Sequence, residues 1–216
     1  MRRLLSLLSL ATASFTMTAC ADSSANAPRP VAPAATPAKT ETLVLGGGCF
    51  WCVEAAYELV PGVLAAESGY AGGARPNPSY EQVTTGATGH AEVVKLTFDP
   101  AVVTRTQLVD FFWEIHDPTT LNRQGADVGT QYRSVLYYAD EAEKALVLAS
   151  RDRANASTWD GKIVTEIAPL PTFYVAEDYH QDYYRKNPNA GYCRAVIKPK
   201  LEKLKKSPLV QPAGDS

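Results

Sequence analysis

The chain has 216 residues, a length typical of one compact domain with additional segments rather than of two full domains. Apolar residues make up 45% and charged residues 20%, which is an ordinary globular composition with enough apolar residues for a sizeable core. The formal net charge of −2 argues against a nucleic-acid partner and against a highly charged interaction tail.

The N-terminal segment, residues 1–21, has the pattern of an export signal. Two arginines precede an apolar stretch at residues 4–17, which is too short for a comfortable transmembrane span. Cleavage after Ala21 and lipidation of Cys20 both fit the sequence, and we favour lipidation because a lone cysteine at this place is otherwise unusual. We therefore expect an exported, periplasmic protein whose only contact with the membrane is a lipid anchor on Cys20.

Residues 22–41 form a spacer rich in Ala, Pro and Ser, a composition that gives no means of building a core. The globular domain is expected at residues 42–206, followed by a loose tail at 207–216. Once the leader is removed, three cysteines remain in the folded part. An odd number of cysteines in an exported protein indicates a reactive thiol rather than a scaffold in which every cysteine is paired.

Strands and helices interleave through the globular part. Hydrophobic patterns and turn residues predict strands at 43–45, 63–70, 90–98, 134–138, 163–167 and 173–175. Helices are predicted at 49–59, 104–116, 141–154, 178–185 and 199–206. The segments predicted as loops are 119–130 and 187–193. The irregular spacing of these elements favours an α+β or mixed α/β fold over a doubly wound sheet.

The strongest local feature is the sequence GGGCFWC at residues 46–52. Glycines allow close backbone approach, and the helix that follows presents unpaired N–H groups and a positive partial charge. Cys49 lies at this helix start, so we expect its thiolate to be stabilised and its pKa to be lowered. Phe50 and Trp51 follow directly and can form an apolar pocket for a small methyl group, although aromatic residues more often pack in a core.

Cys52 lies three residues after Cys49, a spacing that suits thiol–disulfide exchange or half of a zinc site. Only Cys193 and three scattered histidines are left to complete a zinc site, so we expect no metal. A thioredoxin-like CxxC disulfide oxidoreductase is one alternative, since it would also show a strand, a turn, a CxxC sequence and a helix. A second alternative is a non-catalytic exported module in which Cys52 and Cys193 pair structurally.

Further motifs follow one another along the chain in a fixed order. They are GCFW at 48–51, GYAGG at 69–73, NPSY at 77–80, GHAEVV at 89–94, DVGTQYRS at 127–134 and GYC at 191–193. Together they resemble the A-type peptide-methionine sulfoxide reductase family over about residues 42–204. The resemblance implies an α+β fold with a ferredoxin-like two-layer α/β sandwich core, a mixed sheet, flanking helices and a long loop-rich C-terminal segment.

The resemblance also implies roles for the matching residues. Cys49 would attack the sulfur of methionine sulfoxide as a thiolate, and Phe50 and Trp51 would hold the methyl group on that sulfur. Glu92 would protonate the sulfoxide oxygen. Such a role makes chemical sense because a carboxyl group whose pocket raises its pKa can remain protonated near neutral pH.

Three further residues would complete the implied site. The hydroxyl groups of Tyr80 and Tyr132 would hydrogen-bond the sulfoxide oxygen, and Asp127 would help to position the substrate. The implied substrate is the S epimer of methionine sulfoxide, free or in proteins. The abundance of tyrosine, eleven residues in all, also suggests a polar pocket lined by hydroxyl groups.

A second thiol must then regenerate the oxidised Cys49, which becomes a sulfenic acid after the first reaction. The family pattern points to Cys193, which we expect on a flexible loop able to swing toward Cys49. Cys52 is the alternative, because this chain has a cysteine at a position where many relatives carry glycine. The family needs no cofactor and takes its reducing equivalents from thioredoxin or a similar dithiol. We expect a monomer.

Overall fold

The computed structural model describes residues 39–211. The predicted leader with Cys20, the spacer up to residue 38 and tail residues 212–216 lie outside the described residues. Within residues 39–211, no helix has both the length and the apolar character needed to cross a membrane.

Strands and helices alternate through the described part of the chain. The strands are β1 (Glu41–Gly46), β2 (Val63–Ala71), β3 (Ala91–Phe98), β4 (Arg123–Gln124), β5 (Asp127–Val128), β6 (Val135–Tyr138), β7 (Glu166–Pro169) and β8 (Tyr174–Val175). The α-helices are α1 (Phe50–Tyr57), α2 (Tyr80–Thr84), α3 (Arg105–Ile115), α4 (Glu141–Ala154), α5 (Tyr183–Lys186) and α6 (Lys198–Leu204). Shorter helical turns cover Thr130–Tyr132, Asn155–Trp159, Asp178–His180 and Cys193–Ile197.

Six strands form one mixed sheet in the order β7-β6-β1-β3-β2-β8. Strand β3 lies antiparallel between β1 and β2, while β1 lies antiparallel between β3 and β6. The units β1-α1-β2 and β3-α3-β6 therefore interlock in the ferredoxin-like βαββαβ pattern. Strand β7 extends the sheet parallel to β6, and β8 extends it at the other edge. This topology confirms the predicted α+β fold with a mixed sheet and flanking helices.

Strand β3 shows how the sheet separates two apolar clusters. Val94, Leu96 and Phe98 belong to the main core beneath the helices, whereas Ala91 and Val93 belong to a smaller cluster on the opposite face. The apolar residues of β3 are therefore buried on both faces of the sheet. Because side chains alternate along a strand, Glu92 projects to the same face as Val94, the face covered by α1 and α3.

Several predicted elements differ from the structure. The segment predicted as a loop at 119–130 contains the small hairpin of β4 and β5, and α2 was not predicted at all. Helix α2 has only five residues, too few to show helical periodicity, and starts from a capping box at Ser79. The helix predicted at 178–185 is interrupted because Asp182 adopts a left-handed conformation, with φ of +54°.

Candidate active site

Cys49 lies at the junction between β1 and α1. Strand β1 ends at Gly46, and the turn that follows places Cys49 at the N-cap of α1. Gly48 has φ of +91°, a left-handed conformation that favours glycine. A Cβ atom on Gly46 would collide with the backbone carbonyl oxygen of Glu92. The glycines therefore allow the end of β1 to lie directly against β3, which brings Cys49 and Glu92 into one site.

Glu92 is a buried carboxyl group with only 1% of its surface exposed. Its Oε2 accepts a hydrogen bond of 3.0 Å from the N–H of Phe50, at the start of α1. Burial raises the pKa of Glu92 to about 8, against the opposing effect of that hydrogen bond, and the negative charge of Asp127 adds to the rise. The carboxyl group is therefore mostly protonated at neutral pH, which is the state that a proton donor needs.

The two thiols at the start of α1 interact with each other, and their pKa values move in opposite directions. Burial, the interaction with Cys52 and the charge of Glu92 raise the pKa of Cys49 well above its usual value. The prediction of a lowered pKa for Cys49 is therefore wrong in this structure. The helix-start N–H of Phe50 binds Glu92, so that donor does not stabilise the Cys49 thiolate.

Cys52 is the thiol that ionises more readily. The interaction with Cys49 lowers the pKa of Cys52 to about 7 despite the opposing effect of burial. The positive charge of Lys200 and the hydroxyl group of Tyr192 lower it further. Cys52 therefore has a substantial thiolate fraction at neutral pH.

The indole ring of Trp51 is held from three sides. Its Nε1–H donates a hydrogen bond of 3.0 Å to Nδ1 of His180. The ring of Tyr183 stacks on it with centroids 3.6 Å apart and planes inclined by 6°. Tyr192 meets it edge-on at 5.9 Å. Phe50, which is fully buried, lies beside it, so the two predicted pocket residues form one aromatic cluster.

Tyr80 and Tyr132 are half-buried, and the ring of Tyr80 packs against Phe50 and His180. Burial raises the pKa of Tyr80 to about 12, and the charges of Glu92 and Cys49 contribute to the rise. The same groups raise the pKa of Tyr132, again mainly because of burial. Within the described residues, neither phenol hydroxyl has a hydrogen-bond partner from the protein. Both tyrosines are therefore protonated donors that are free to bind a ligand.

Asp127 begins strand β5 and reaches the site through Tyr192. The hydroxyl group of Tyr192 donates a hydrogen bond of 2.7 Å to Oδ2 of Asp127. The same hydroxyl oxygen lies 3.6 Å from Sγ of Cys52. Tyr192 therefore connects the residue expected to position the substrate with the second cysteine of the CxxC sequence.

Cys193 does not lie on the predicted loop. Its exposed fraction is 0%, and it begins the helical turn Cys193–Ile197 that continues into α6. The loop prediction at 187–193 fails here because Cys193 packs into the main core together with Ile197. Burial raises the pKa of Cys193, and the charge of Cys52 adds to that effect. Cys52 therefore interacts with both of the other thiols, and all three are reduced.

The structure brings the predicted site residues of the described part into one region: Cys49, Phe50, Trp51, Cys52, Tyr80, Glu92, Asp127, Tyr132 and Cys193. His180, Tyr183 and Tyr192, which orient Trp51 and Asp127, were not predicted as site residues. The high tyrosine content was the available signal for the two tyrosines. In the described part of the chain, no group of three or more His, Cys, Asp or Glu side chains is arranged to hold a metal ion.

A separate cavity of about 980 Å³ lies among α3, α4, α6 and the segment that follows α6. None of the predicted site residues lines this cavity. Lys200 lines this cavity, and its positive charge also lowers the pKa of Cys52 in the site. The catalytic chemistry is therefore assigned to the cysteine region, on the grounds of its reactive groups rather than of cavity size.

The family model for peptide methionine sulfoxide reductase matches residues 41–212. The chain belongs to this family. It is 54% identical over 166 residues to a peptide methionine sulfoxide reductase MsrA from Pseudarthrobacter chlorophenolicus, covering 77% of this chain and 95% of the relative. It is 56% identical over 161 residues to an enzyme of the same description from Acinetobacter baumannii strain AYE, covering 74% and 92%.

Solved structures show the same relationship. The reduced form of Mxr1 from Saccharomyces cerevisiae superposes with a TM-score of 0.69 at 39% identity, covering 73% of this chain and 91% of that one. Methionine sulfoxide reductase A of Corynebacterium diphtheriae gives a TM-score of 0.64 at 41% identity, with coverage of 72% and 78%. The chain is therefore an oxidoreductase that reduces methionine sulfoxide, as predicted, and the alternatives of a CxxC disulfide oxidoreductase and a non-catalytic module are set aside.

Proposed function

We propose that Cys49 reduces the S epimer of methionine sulfoxide, free or in proteins, with Glu92 as the acid and Tyr80 and Tyr132 as donors to the sulfoxide oxygen. The observation that carries this assignment is the convergence of the Cys49 thiol, a protonated carboxyl group and two phenol hydroxyls that have no hydrogen-bond partner among residues 39–211. A sulfoxide oxygen becomes a leaving group only when it is protonated, so it needs these donors.

In the proposed reaction, the sulfur of Cys49 attacks the sulfoxide sulfur while Glu92 protonates the oxygen. The oxygen then passes to Cys49, the bond between the two sulfur atoms breaks, and methionine leaves. Cys49 is oxidised to a sulfenic acid and the substrate sulfur is reduced. The original thiol proton ends on the sulfenic oxygen or returns to Glu92, so the carboxyl group is regenerated.

The aromatic cluster of Phe50 and Trp51 is proposed to hold the methyl group of the substrate. The hydrogen bond and the stacking contact that fix the indole ring support this role, because a rigid apolar wall loses little entropy on binding. Asp127 is proposed to position the more polar part of the substrate, since its side chain lies at the edge of the site.

Recycling is proposed to proceed through both remaining cysteines. Cys52 condenses with the Cys49 sulfenic acid to form a disulfide and release water, since Cys52 is the thiol that interacts with Cys49. Cys193 then attacks Cys52, forming the Cys52–Cys193 disulfide and releasing Cys49 as a thiol. A thioredoxin-like dithiol reduces that disulfide. This order differs from the sequence-based expectation that Cys193 reacts first, and it is supported by the interactions of Cys52 with each of the other two thiols.

We further propose that the enzyme is exported and repairs oxidised methionine in exported proteins, as a monomer anchored through a lipid on Cys20. The support is the signal-like sequence of residues 1–21 and the spacer that follows it. Its reductant must then also be extracytoplasmic. The intact mass of the exported protein distinguishes lipidated Cys20 from simple cleavage after Ala21.

The decisive experiment for the activity uses the purified exported chain with dithiothreitol and each epimer of a methionine sulfoxide substrate. We expect turnover of the S epimer, none of the R epimer, and loss of activity in a folded Cys49→Ser variant. Absence of S-epimer turnover at several pH values would overturn the assignment. Reduction of insulin disulfides at a comparable rate would favour the disulfide oxidoreductase instead.

A further inference from the structure

Glu54 is a buried carboxyl group that the proposed reaction does not use. It lies on α1 with 1% of its surface exposed, although charged side chains are rarely buried without a partner. Its Oε1 accepts a hydrogen bond of 2.9 Å from the N–H of Asp182. Burial raises the pKa of Glu54 to about 7, whereas this hydrogen bond and the neighbouring N–H of Tyr183 favour the charged form of the carboxyl group. Its partners are thus backbone groups from a segment more than a hundred residues away in the chain.

The backbone that Glu54 binds has an unusual conformation. Asp182 has φ of +54°, in the left-handed region that residues other than glycine seldom adopt, and it directly precedes α5. Such a conformation persists when neighbouring contacts hold it. The acceptor oxygen of Glu54 supplies one such contact and fixes the direction in which Tyr183 leaves the turn.

Two of the contacts that orient Trp51 come from this same segment. Tyr183 stacks on the indole ring, and His180 accepts the hydrogen bond from its Nε1–H. Glu54 follows Trp51 by three residues on α1, so the two side chains are neighbours on the helix surface. Helix α1 therefore carries both the indole ring of Trp51 and the carboxyl group that holds the segment packed against that ring.

We propose that Glu54 is a positioning residue for the reductase reaction, which fixes Tyr183 against Trp51 and so shapes the pocket for the substrate methyl group. The inference rests on the proposed role of Trp51. Glu54 has no contact with Cys49 or Glu92 among the described hydrogen bonds, so its effect falls on substrate affinity rather than on the chemical step.

The test measures single-turnover reduction of methionine sulfoxide at increasing substrate concentration in the full exported chain. We expect Glu54→Ala to raise the half-saturating concentration about tenfold, since a hydrogen bond to a buried carboxyl group is lost. The maximal rate should change less than about twofold, because the acid and the nucleophile stay in place. Glu54→Gln keeps an acceptor oxygen and should recover most of the affinity.

Glu58→Gln is the matched control. Glu58 is the C-cap residue that directly follows α1, and it pairs with Arg185 of the same segment; the side chain of Arg185 is 67% exposed and that of Glu58 is 19% exposed. An ion pair whose arginine lies mostly in solvent contributes little, so this variant should bind substrate within about twofold of the unchanged enzyme. An equal loss of affinity in Glu58→Gln would show that any loosening of α5 matters, and would contradict a specific role for Glu54.

Two further measurements separate this proposal from the role of the methyl pocket. In fluorotryptophan-labelled protein, Glu54→Ala should shift the ¹⁹F resonance of Trp51, and Glu54→Gln should shift it much less. The resonances of Trp113 and Trp159 should stay in place in both variants and so report intact folding. In a Trp51→Phe background, Glu54→Ala should have little further effect on affinity. An unchanged Trp51 resonance, or a tenfold loss that persists without Trp51, would overturn the inference. If Trp51→Phe alone leaves the affinity unchanged while Glu54→Ala still shifts the Trp51 resonance, the role of Trp51 in the methyl pocket is refuted instead.

Discussion

Replacement of Glu92 by Gln tests the proposed acid while preserving the shape of the site. The amide oxygen of Gln can still accept the N–H of Phe50, so the hydrogen bond of 3.0 Å at the start of α1 is retained. What is lost is the transferable proton. General acid catalysis typically contributes about 10²- to 10⁴-fold, so the rate of sulfoxide reduction should fall by that order.

The pH dependence gives the sharper measurement. Because the pKa of Glu92 is raised to about 8, the carboxyl group holds its proton below that pH and loses it above. The ratio of the unchanged enzyme's rate to that of Glu92→Gln should therefore be constant up to about pH 8 and then fall about tenfold per pH unit. Because the charge of Glu92 raises the pKa of Cys49, the ionisation of Cys49 is measured in both enzymes by the pH profile of alkylation, and its difference is removed from the ratio. A ratio that stays constant through pH 10 would refute the role of Glu92 as the acid.

The same group should affect stability in a direction that the pKa determines. The folded protein holds the Glu92 proton more tightly than the unfolded chain, so the free energy of unfolding falls as pH rises from the ordinary value of 4.5 through about 8. A shift of this size corresponds to about 5 kcal/mol at most. Glu92→Gln lacks this titration, and its stability, measured by urea unfolding, should decline less over that range. Parallel curves for the two proteins would contradict the buried, protonated state.

Three other predictions concern the thiols and the core. Cys193→Ser should complete one turnover with stoichiometric methionine release but stall with thioredoxin, and peptide mapping should then find a Cys49–Cys52 disulfide; a Cys49 sulfenic acid that persists in Cys193→Ser without that disulfide would contradict the proposed order. Cys49→Ala should raise the pKa of Cys52 above about 7, because it removes the interaction that lowers it most, and the pH profile of alkylation measures this shift. Phe98→Ala should destabilise the domain by about 3–5 kcal/mol in urea unfolding, since a fully buried ring is lost from the main core, whereas a change below 1 kcal/mol would contradict its packing.

The sequence alone predicts the elements that carry the nucleophile and the acid. Glycines followed by an apolar helix place Cys49 at the start of α1, and the buried strand around Glu92 appears as β3. Local patterns cannot give the electrostatics, because the N–H of Phe50 is bound by a carboxyl group 42 residues away. The prediction of a lowered pKa for Cys49 considered the helix start but not burial, which raises this pKa most and outweighs the lowering effect of the N–H of Trp51.

The C-terminal part of the site was harder to predict for a related reason. The glycine and asparagine residues before Cys193 indicate a loop, yet Cys193 packs into the core beside Ile197. Tyr192 donates a hydrogen bond to Asp127, which lies 65 residues earlier in the chain. A contact over this separation produces no periodic pattern in the sequence around either residue. Only the motif order, which the family comparison confirmed, indicated that this segment belongs to the site at all.

The hydrogen bond between Tyr192 and Asp127 has a consequence for the order of events in the catalytic cycle. Cys193 is enclosed, so a reductant protein reaches its sulfur only if the adjoining backbone moves outward, and that movement carries Tyr192 away from Asp127. Substrate binding requires Tyr192 to stay bound to Asp127, whereas reduction by the partner protein requires Tyr192 to move away from it, so the two steps cannot occur together. We expect the two half-reactions to alternate, with parallel double-reciprocal plots and with excess sulfoxide competing against the reductant.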